Sequence, residues 1–392
     1  MVGPAFGQFD YPYATNRLTE WMDNTNYARD VYQWYATNSG QPDQLYNDGV
    51  YVSSEAGGSY SLDLPAAWTL AQGSNVVVGV IDTGVNTNHP DLAAAVIGGW
   101  EFDDPQGISA PTYDDYNGHG TAVCGLIAAA DAATGFHGVA PAAKLKVVQT
   151  RFLSSEVAKG IDWCVTNGCR IINLAWGEAA PDPDLSNACL FAQAAGVIIV
   201  CAVPDAQQDI DLVPDYPSSF GFDNLVPVTS LCRTGGIFNP GASGYGTNVI
   251  GAPGRNLIST RADFHNSLYW YATGTSFASA LISGVLALVE SRFPNQSYQA
   301  AIAAVKAGCS TNLTSYDGAH PAIFGNANAF QALTTPQPIL SINCSNICAT
   351  GVANFRYALQ ESPDLLHWFE ATNFTSRLVM PATNAFFRVR IR

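Results

Sequence analysis

Short apolar runs closed by turn residues and alternating with helical stretches restrict this chain more than any other feature. NVVVGVID (75–82), KLKVVQ (144–149), RIINLAW (170–176) and GVIIVCAV (196–203) are rich in Val and Ile and are strand-length. Apolar character sustained over such lengths predicts strands buried on both faces, as in parallel sheets. Between and beside them, TAVCGLIAAA (121–130), SEVAKGIDWCVTNG (155–168) and LSNACLFAQAAG (185–196) read as helices. The alternation predicts an α/β domain, a parallel sheet with helices on both faces. Ligands in such folds gather at the carboxyl ends of the strands.

This pattern occupies about 61–335. Residues 1–60 are polar and aromatic with weak periodicity, and are expected to form an irregular arm. TTPQPIL (334–340) reads as a linker, and 341–392 shows strand-like alternation without a helix, predicting a small β module. Against 17 Lys and Arg stand 32 Asp and Glu, a net charge of −15. That balance disfavours nucleic acid or an anionic membrane as a partner and predicts a monomer that repels its own kind. No apolar run approaches the roughly 20 residues a membrane span needs. The opening MVGPAFGQFDYPYATNR lacks the basic-then-apolar order of a signal peptide. Nine cysteines favour an oxidising, extracellular compartment. Cys164 with Cys169 and Cys344 with Cys348 are spaced for short disulfide loops, and the odd count leaves one thiol over.

Three segments carry chemistry. NVVVGVID ends in Asp82, a carboxylate at the end of a buried strand, costly to bury unless hydrogen bonds reach it. In DDYNGHGTAVCGLIAAA, His119 stands between two glycines at the start of an apolar helix, and the glycines would leave room for a substrate backbone. In GTSFASALISGVLALV (274–289), Ser276 falls in the first turn of a buried helix, where backbone N–H groups lack partners. Ser276 is there either a helix cap or a nucleophile. Acyl transfer by serine needs a base and a carboxylate to orient it, and Asp82, His119 and Ser276 supply the set. Their order along the chain is one of the orders known for such sets.

VVVGVIDTGVNTNHPDL, NGHGTAVCGLIAA and GTSFASALISGVLALV together resemble the signature blocks of the subtilisin-like serine proteases, the subtilases. HGVAP (137–141), IINLAWG (171–177) and GAPG (251–254) also fall where that family has similar segments. The resemblance implies a subtilisin-like sheet and a secreted endopeptidase acting on polypeptides. In it Asp82 orients, His119 is base and then acid, and Ser276 attacks. No cofactor would be required for that chemistry.

The family pattern is broken in places. Its oxyanion-binding Asn is replaced by Asp205, in GVIIVCAVPDAQ. An ionised Asp has no proton to donate, and one lost oxyanion donor typically costs about 10²–10³ in rate. A protonated Asp205 would donate, and burial favours that form; a few proprotein convertases similarly carry Asp there. The alternative is a catalytically impaired homologue kept as a peptide-binding or scaffold protein. By resemblance Ala175, Trp176 and Gly177 line the extended substrate. Asp215 lies at the base of the main specificity pocket, with Glu178, Asp182 and Asp184 nearby, implying Lys or Arg before the scissile bond. The family's calcium site would draw on Asp91, although Ala132 stands where an Asn ligand is usual; calcium is a candidate structural ion only. YALQESPDLLHWFEATNF with NAFFRVRIR resembles a short β module at the ends of some bacterial secreted proteins.

Overall fold

The computed structural model describes residues 33, 35–36, 43–47, 50–55, 60–102, 112–130, 136–233, 243–262, 268–310 and 323–334, and the backbone of strands between 339 and 391. The chain divides into two units, Met1–Leu333 and Thr334–Arg392.

In the larger unit a hairpin of β1 (Asp43–Asn47) and β2 (Val50–Glu55) precedes the short helix α1 (Leu64–Trp68). There follow β3 (Val77–Asp82), β4 (Val96–Glu101), helix α2 (His119–Ala128), β5 (Lys144–Gln149), α3 (Ser154–Thr166), β6 (Ile171–Leu174), α4 (Pro183–Ala194) and β7 (Ile198–Ala202). Next come β8 (Leu225–Leu231), β9 (Ile250–Pro253), a hairpin of β10 (Leu257–Thr260) and β11 (Tyr269–Ala272), then α5 (Thr275–Arg292), α6 (Tyr298–Ala307), β12 (Gly325–Asn326) and α7 (Ala329–Thr334). Eight strands join one sheet in the order β12-β9-β8-β7-β6-β3-β5-β4, and each neighbouring pair runs parallel.

Both faces are covered, as the apolar runs require. Side chains alternate across a strand, and the core splits accordingly. Val78, Val80, Leu145, Val147, Ile198 and Val200 pack with α2 and α5 on one face. Ile81, Val148, Ile172, Leu174 and Ile199 pack with α3 and α4 on the other. Helix α5 is buried nearly all round, from Thr275 to Glu290, as its unbroken run of small and apolar residues demands.

Strand β3 is where the order of the sheet reverses. The chain runs from β3 outward through β4 and back to β5 on one side, then crosses to β6 and onward on the other. A crevice opens at the carboxyl ends of strands at such a point. Asp82 closes β3, residue 175 follows β6, and residue 205 follows β7, so three of the expected site positions sit on this rim.

The disulfide expected between Cys164 and Cys169 is a correction. All seven cysteines among the described residues are free. Both sulfurs lie in the apolar layer behind Gly79, and burial pushes the Cys164 thiol well up, so the thiolate that would open oxidation is suppressed. The Cys344–Cys348 pair lies outside the described side chains. Of the N-terminal stretch, Tyr35 is fully buried, and its carbonyl accepts the Leu62 N–H at 2.8 Å. Among the described residues no helix is long and apolar enough to cross a membrane.

The smaller unit holds two three-stranded antiparallel sheets. They are built from β13 (Ile339–Ile342), β14 (Asn346–Thr350), β15 (Tyr357–Ser362), β16 (Phe369–Phe374), β17 (Arg377–Pro381) and β18 (Phe386–Ile391). Their orders are β13-β14-β17 and β16-β15-β18.

Candidate active site

Asp82 is fully buried, and its Oδ1 accepts the Thr83 amide at 2.7 Å and His119 Nδ1 at 2.8 Å. The second oxygen, Oδ2, has no partner among the described residues. With Nδ1 donating to Asp82, Nε2 of the imidazole is left as the acceptor. Burial alone would lower the His119 pKa. The Asp82 carboxylate, joined by Asp115 and Asp205, outweighs it and holds the imidazole above its ordinary value.

The two glycines beside His119 differ: a Cβ at Gly118 would meet open space, whereas Gly120 is closely packed. Gly118 has φ of 99°, a left-handed turn that starts α2. At Gly120 an added Cβ would stand 2.1 Å from the Gly84 carbonyl and 3.1 Å from Asp82 Oδ1. The start of α2 is therefore pressed against the turn after β3, which is how Asp82 and His119 come within bonding distance.

Ser276 is the second residue of α5 and is 8% exposed. Its Oγ donates to the Ala175 carbonyl at 3.3 Å rather than to His119. The next side chain, Phe277, lies against the imidazole with ring centroids 5.0 Å apart, so the helix start and His119 adjoin. Gly274, ahead of the helix, has φ of 149°, and a Cβ there would stand 3.1 Å from Asp205 Oδ2. Asp205 Oδ1 accepts the Thr275 N–H at 2.8 Å and lies 3.0 Å from the Thr275 hydroxyl, whose shorter bond, 2.7 Å, goes to the Val203 carbonyl. Enclosure by the chain pushes the Asp205 carboxyl up, and Thr275 and His119 only partly pull it back, although the residue is exposed.

Ala175, Trp176 and Gly177 continue from β6 past Ser276. Asp215 is 5% exposed, and its Oδ2 lies 2.5 Å from where a Gly177 Cβ would be. That oxygen has no partner among the described residues. Burial pushes Asp215 up to about 7, with Glu178 adding to the rise and Ser218 opposing it. Glu178 and Tyr216 exchange backbone hydrogen bonds at 2.8 Å, which fixes Asp215 beside Gly177. Asp182 is occupied elsewhere: its Oδ1 caps α4 by accepting the Asp184 and Leu185 N–H groups.

A model of the subtilase family matches residues 73–326. The chain belongs to the subtilase family. As a subtilase it is a serine endopeptidase, with the mostly parallel α/β sheet of that family. It is 33% identical to thermitase of Thermoactinomyces vulgaris over 249 residues, 62% of this chain and 84% of that protein. It is also 33% identical to the major intracellular serine protease of Bacillus subtilis over 244 residues, 60% of this chain and 74% of that one. Among solved structures, a protease from Pseudoalteromonas arctica matches with a TM-score of 0.61 at 26% identity, over 70% of this chain and 93% of that one.

Of the residues expected at the calcium site, Asp91 is among those described. Asp91 is 1% exposed and its Oδ2 accepts a short hydrogen bond from the Tyr269 hydroxyl. No group of three or more His, Cys, Asp or Glu able to hold a metal occurs among the described residues. Residues 131–135, where further ligands were expected, lie outside them.

Sequence reasoning missed Asp115. Its carboxylate, 7% exposed, accepts from Thr83, Asn117, Gly118 and Thr121. No capping pattern marked it, because the residue at the N-cap of α2 is Gly118 and Asp115 stands in the polar loop ahead of it.

Proposed function

We propose that this subtilase hydrolyses peptide bonds with Ser276 as nucleophile, His119 as proton carrier and Asp82 as the group that orients and charges the imidazole. The observation that carries the reading is the 2.8 Å bond from His119 Nδ1 to a buried carboxylate, with the Ser276 helix start adjoining the same ring. Catalysis would require the Ser276 hydroxyl to leave the Ala175 carbonyl for His119, by a change of side-chain rotamer. Such bonds are commonly long or misdirected before substrate binds. His119 takes the proton as Oγ attacks, then gives it to the leaving amine. Water repeats the cycle on the acyl-enzyme.

The developing oxyanion would be met by backbone N–H at the start of α5 and by Asp205 in its protonated form. With Oδ1 committed to Thr275, the proton belongs on Oδ2. Chemistry then needs Asp205 protonated while His119 is neutral. The productive form carries one proton on the acid rather than on the imidazole, so activity peaks between the two pKa values and falls on either side.

The substrate would lie extended along Ala175–Gly177, adding a strand to the rim. Two residues of strand span about 7 Å, which suits a long side chain reaching from Ser276 to Asp215. A buried carboxylate there, with Oδ2 lacking a partner among the described residues, favours Lys or Arg before the scissile bond. In this reading 61–335 is the peptidase, 1–60 an arm and 341–392 an accessory module, and the acidic monomer acts outside the cell. Calcium has no part in the chemistry.

A second reading, a peptide-binding homologue without turnover, draws on Asp205 and on the Ser276–Ala175 bond. Hydrolysis of an unfolded polypeptide by wild type, Ser276→Ala and His119→Ala decides. Wild-type cleavage lost in both variants supports the proposal, and equal residual cleavage by all three favours the binding protein.

A further inference from the structure

We propose that Asp115 is a positioning residue, whose carboxylate fastens the turn after Asp82 to the first turn of the His119 helix and so keeps the imidazole in line with its orienting acid. The inference rests on the proton-carrying role given to His119 above.

The bonding pattern is that of a hub. Oδ1 accepts the Thr83 hydroxyl at 2.8 Å, the Asn117 N–H at 2.9 Å and the Gly118 N–H at 2.7 Å. Oδ2 accepts the Thr121 N–H at 2.8 Å and its hydroxyl at 2.6 Å. Each hydroxyl passes the connection on: Thr83 Oγ1 accepts the Gly120 N–H at 2.9 Å, and Thr121 Oγ1 accepts the Asn86 N–H at 2.9 Å. Two backbone segments, Thr83–Asn86 and Gly118–Thr121, are thus joined to each other through one buried acid. The first segment begins next to Asp82, and the second contains His119.

Only an ionised carboxylate accepts from so many donors at once. It also sits at a helix N-terminus, where negative charge is favoured. An amide there would turn its NH₂ against N–H and O–H groups and lose the charge. The charged and titratable groups acting on His119 are Asp82 from β3, Asp115 from the segment before α2 and Asp205 from the segment after β7; α5 contributes the uncharged Phe277. Asp115 therefore acts on His119 twice, through geometry and through its field.

The test compares wild type with Asp115→Asn and Thr83→Val in the full chain. Readouts are kcat and KM across pH, thermal unfolding, and the His119 ring titration followed by NMR. In Asp115→Asn, misplacement of the imidazole is expected to lower kcat by about 10²-fold with little change in KM. Loss of the negative charge should move both the acid limb of the rate and the ring titration to lower pH. In Thr83→Val, which removes the bonds of that hydroxyl to both Asp115 and the Gly120 N–H and keeps the charge, kcat falls by about tenfold and the limb stays in place. A folded Asp115→Asn with wild-type kcat, or with an unmoved His119 titration, overturns the proposal. If Asp115→Asn does not fold, Thr83→Val decides alone: a kcat loss at constant KM supports the role and unchanged kcat refutes it. Should wild type show no hydrolysis, the catalytic reading fails, while the ring titration still reports whether Asp115 governs His119.

Discussion

Asp205 Oδ1 accepts the N–H of Thr275, the residue immediately before Ser276, at 2.8 Å. An Asn at this position would satisfy only that side with its carbonyl and present its NH₂ where Asp205 has Oδ2. Asp205→Asn is therefore expected to raise kcat by about 10²-fold near neutral pH, the usual worth of one oxyanion donor. It should also remove the loss of rate that follows ionisation of Asp205. Initial rates from pH 5 to 10 check this (roughly the range over which imidazole and raised carboxylates titrate). A variant slower than wild type at every pH would show that the acid is not an impaired donor.

Burial pushes Asp215 up to about 7, so the proposed preference for a cationic side chain would depend on pH. The ratio of kcat/KM for an Arg substrate to that for its Leu counterpart cancels the His119 limb. It should rise as pH passes through about 7. Asp215→Asn should flatten the ratio and lower it by about 10²-fold at high pH, the scale of a desolvated charge pair. Equal wild-type rates for Arg and Leu would remove the acidic pocket from the account.

The same group sets a stability trend. Its folded pKa is raised, so the contribution is fully present below the unfolded carboxylate range and is lost as pH rises through about 7. Asp215→Asn should leave the melting temperature nearly unchanged in acid and raise it above neutrality. Melting curves at several pH values read this directly.

Gly120 lies against the Gly84 carbonyl with no room for a methyl group. Gly120→Ala should separate α2 from the turn after Asp82 and lower kcat by about 10²-fold, as angstrom-scale misplacement does. Retention of full activity in a folded variant would show that the Asp82–His119 distance does not depend on this contact.

The Tyr269 hydroxyl binds the buried Asp91 carboxylate, where a calcium ligand was expected. Tyr269→Phe should lower unfolding stability by about 2 kcal/mol, the value of a hydrogen bond to a charged group. Wild-type melting should be insensitive to a chelator. A large fall in melting temperature with chelator would restore the ion.

Much of the fold could be read from the chain because strands buried on both faces leave continuous Val and Ile runs. KLKVVQ coincides with β5, and the other three runs contain β3, β6 and β7. Strand β8 was hidden by Pro227, which lacks an N–H yet pairs opposite Cys201 in mid-sheet. Asp82, His119 and Ser276 were legible because each stands at the end of an element, where a polar side chain after or before an apolar run is conspicuous. Asp115 was not, since in sequence a carboxylate in a polar loop looks like any turn residue until its five donors are known. The cysteines misled for a related reason: close spacing fixes proximity, but burial decides whether thiols oxidise.

The proposed chemistry requires Ser276 to be an activated nucleophile. Treating the protein with a fluorophosphonate and locating the adduct by mass spectrometry tests it most directly. One modification is expected, on Ser276, abolished in His119→Ala and faster as pH rises through the imidazole titration. No labelling of folded wild-type protein, or labelling equally fast without His119, would contradict it.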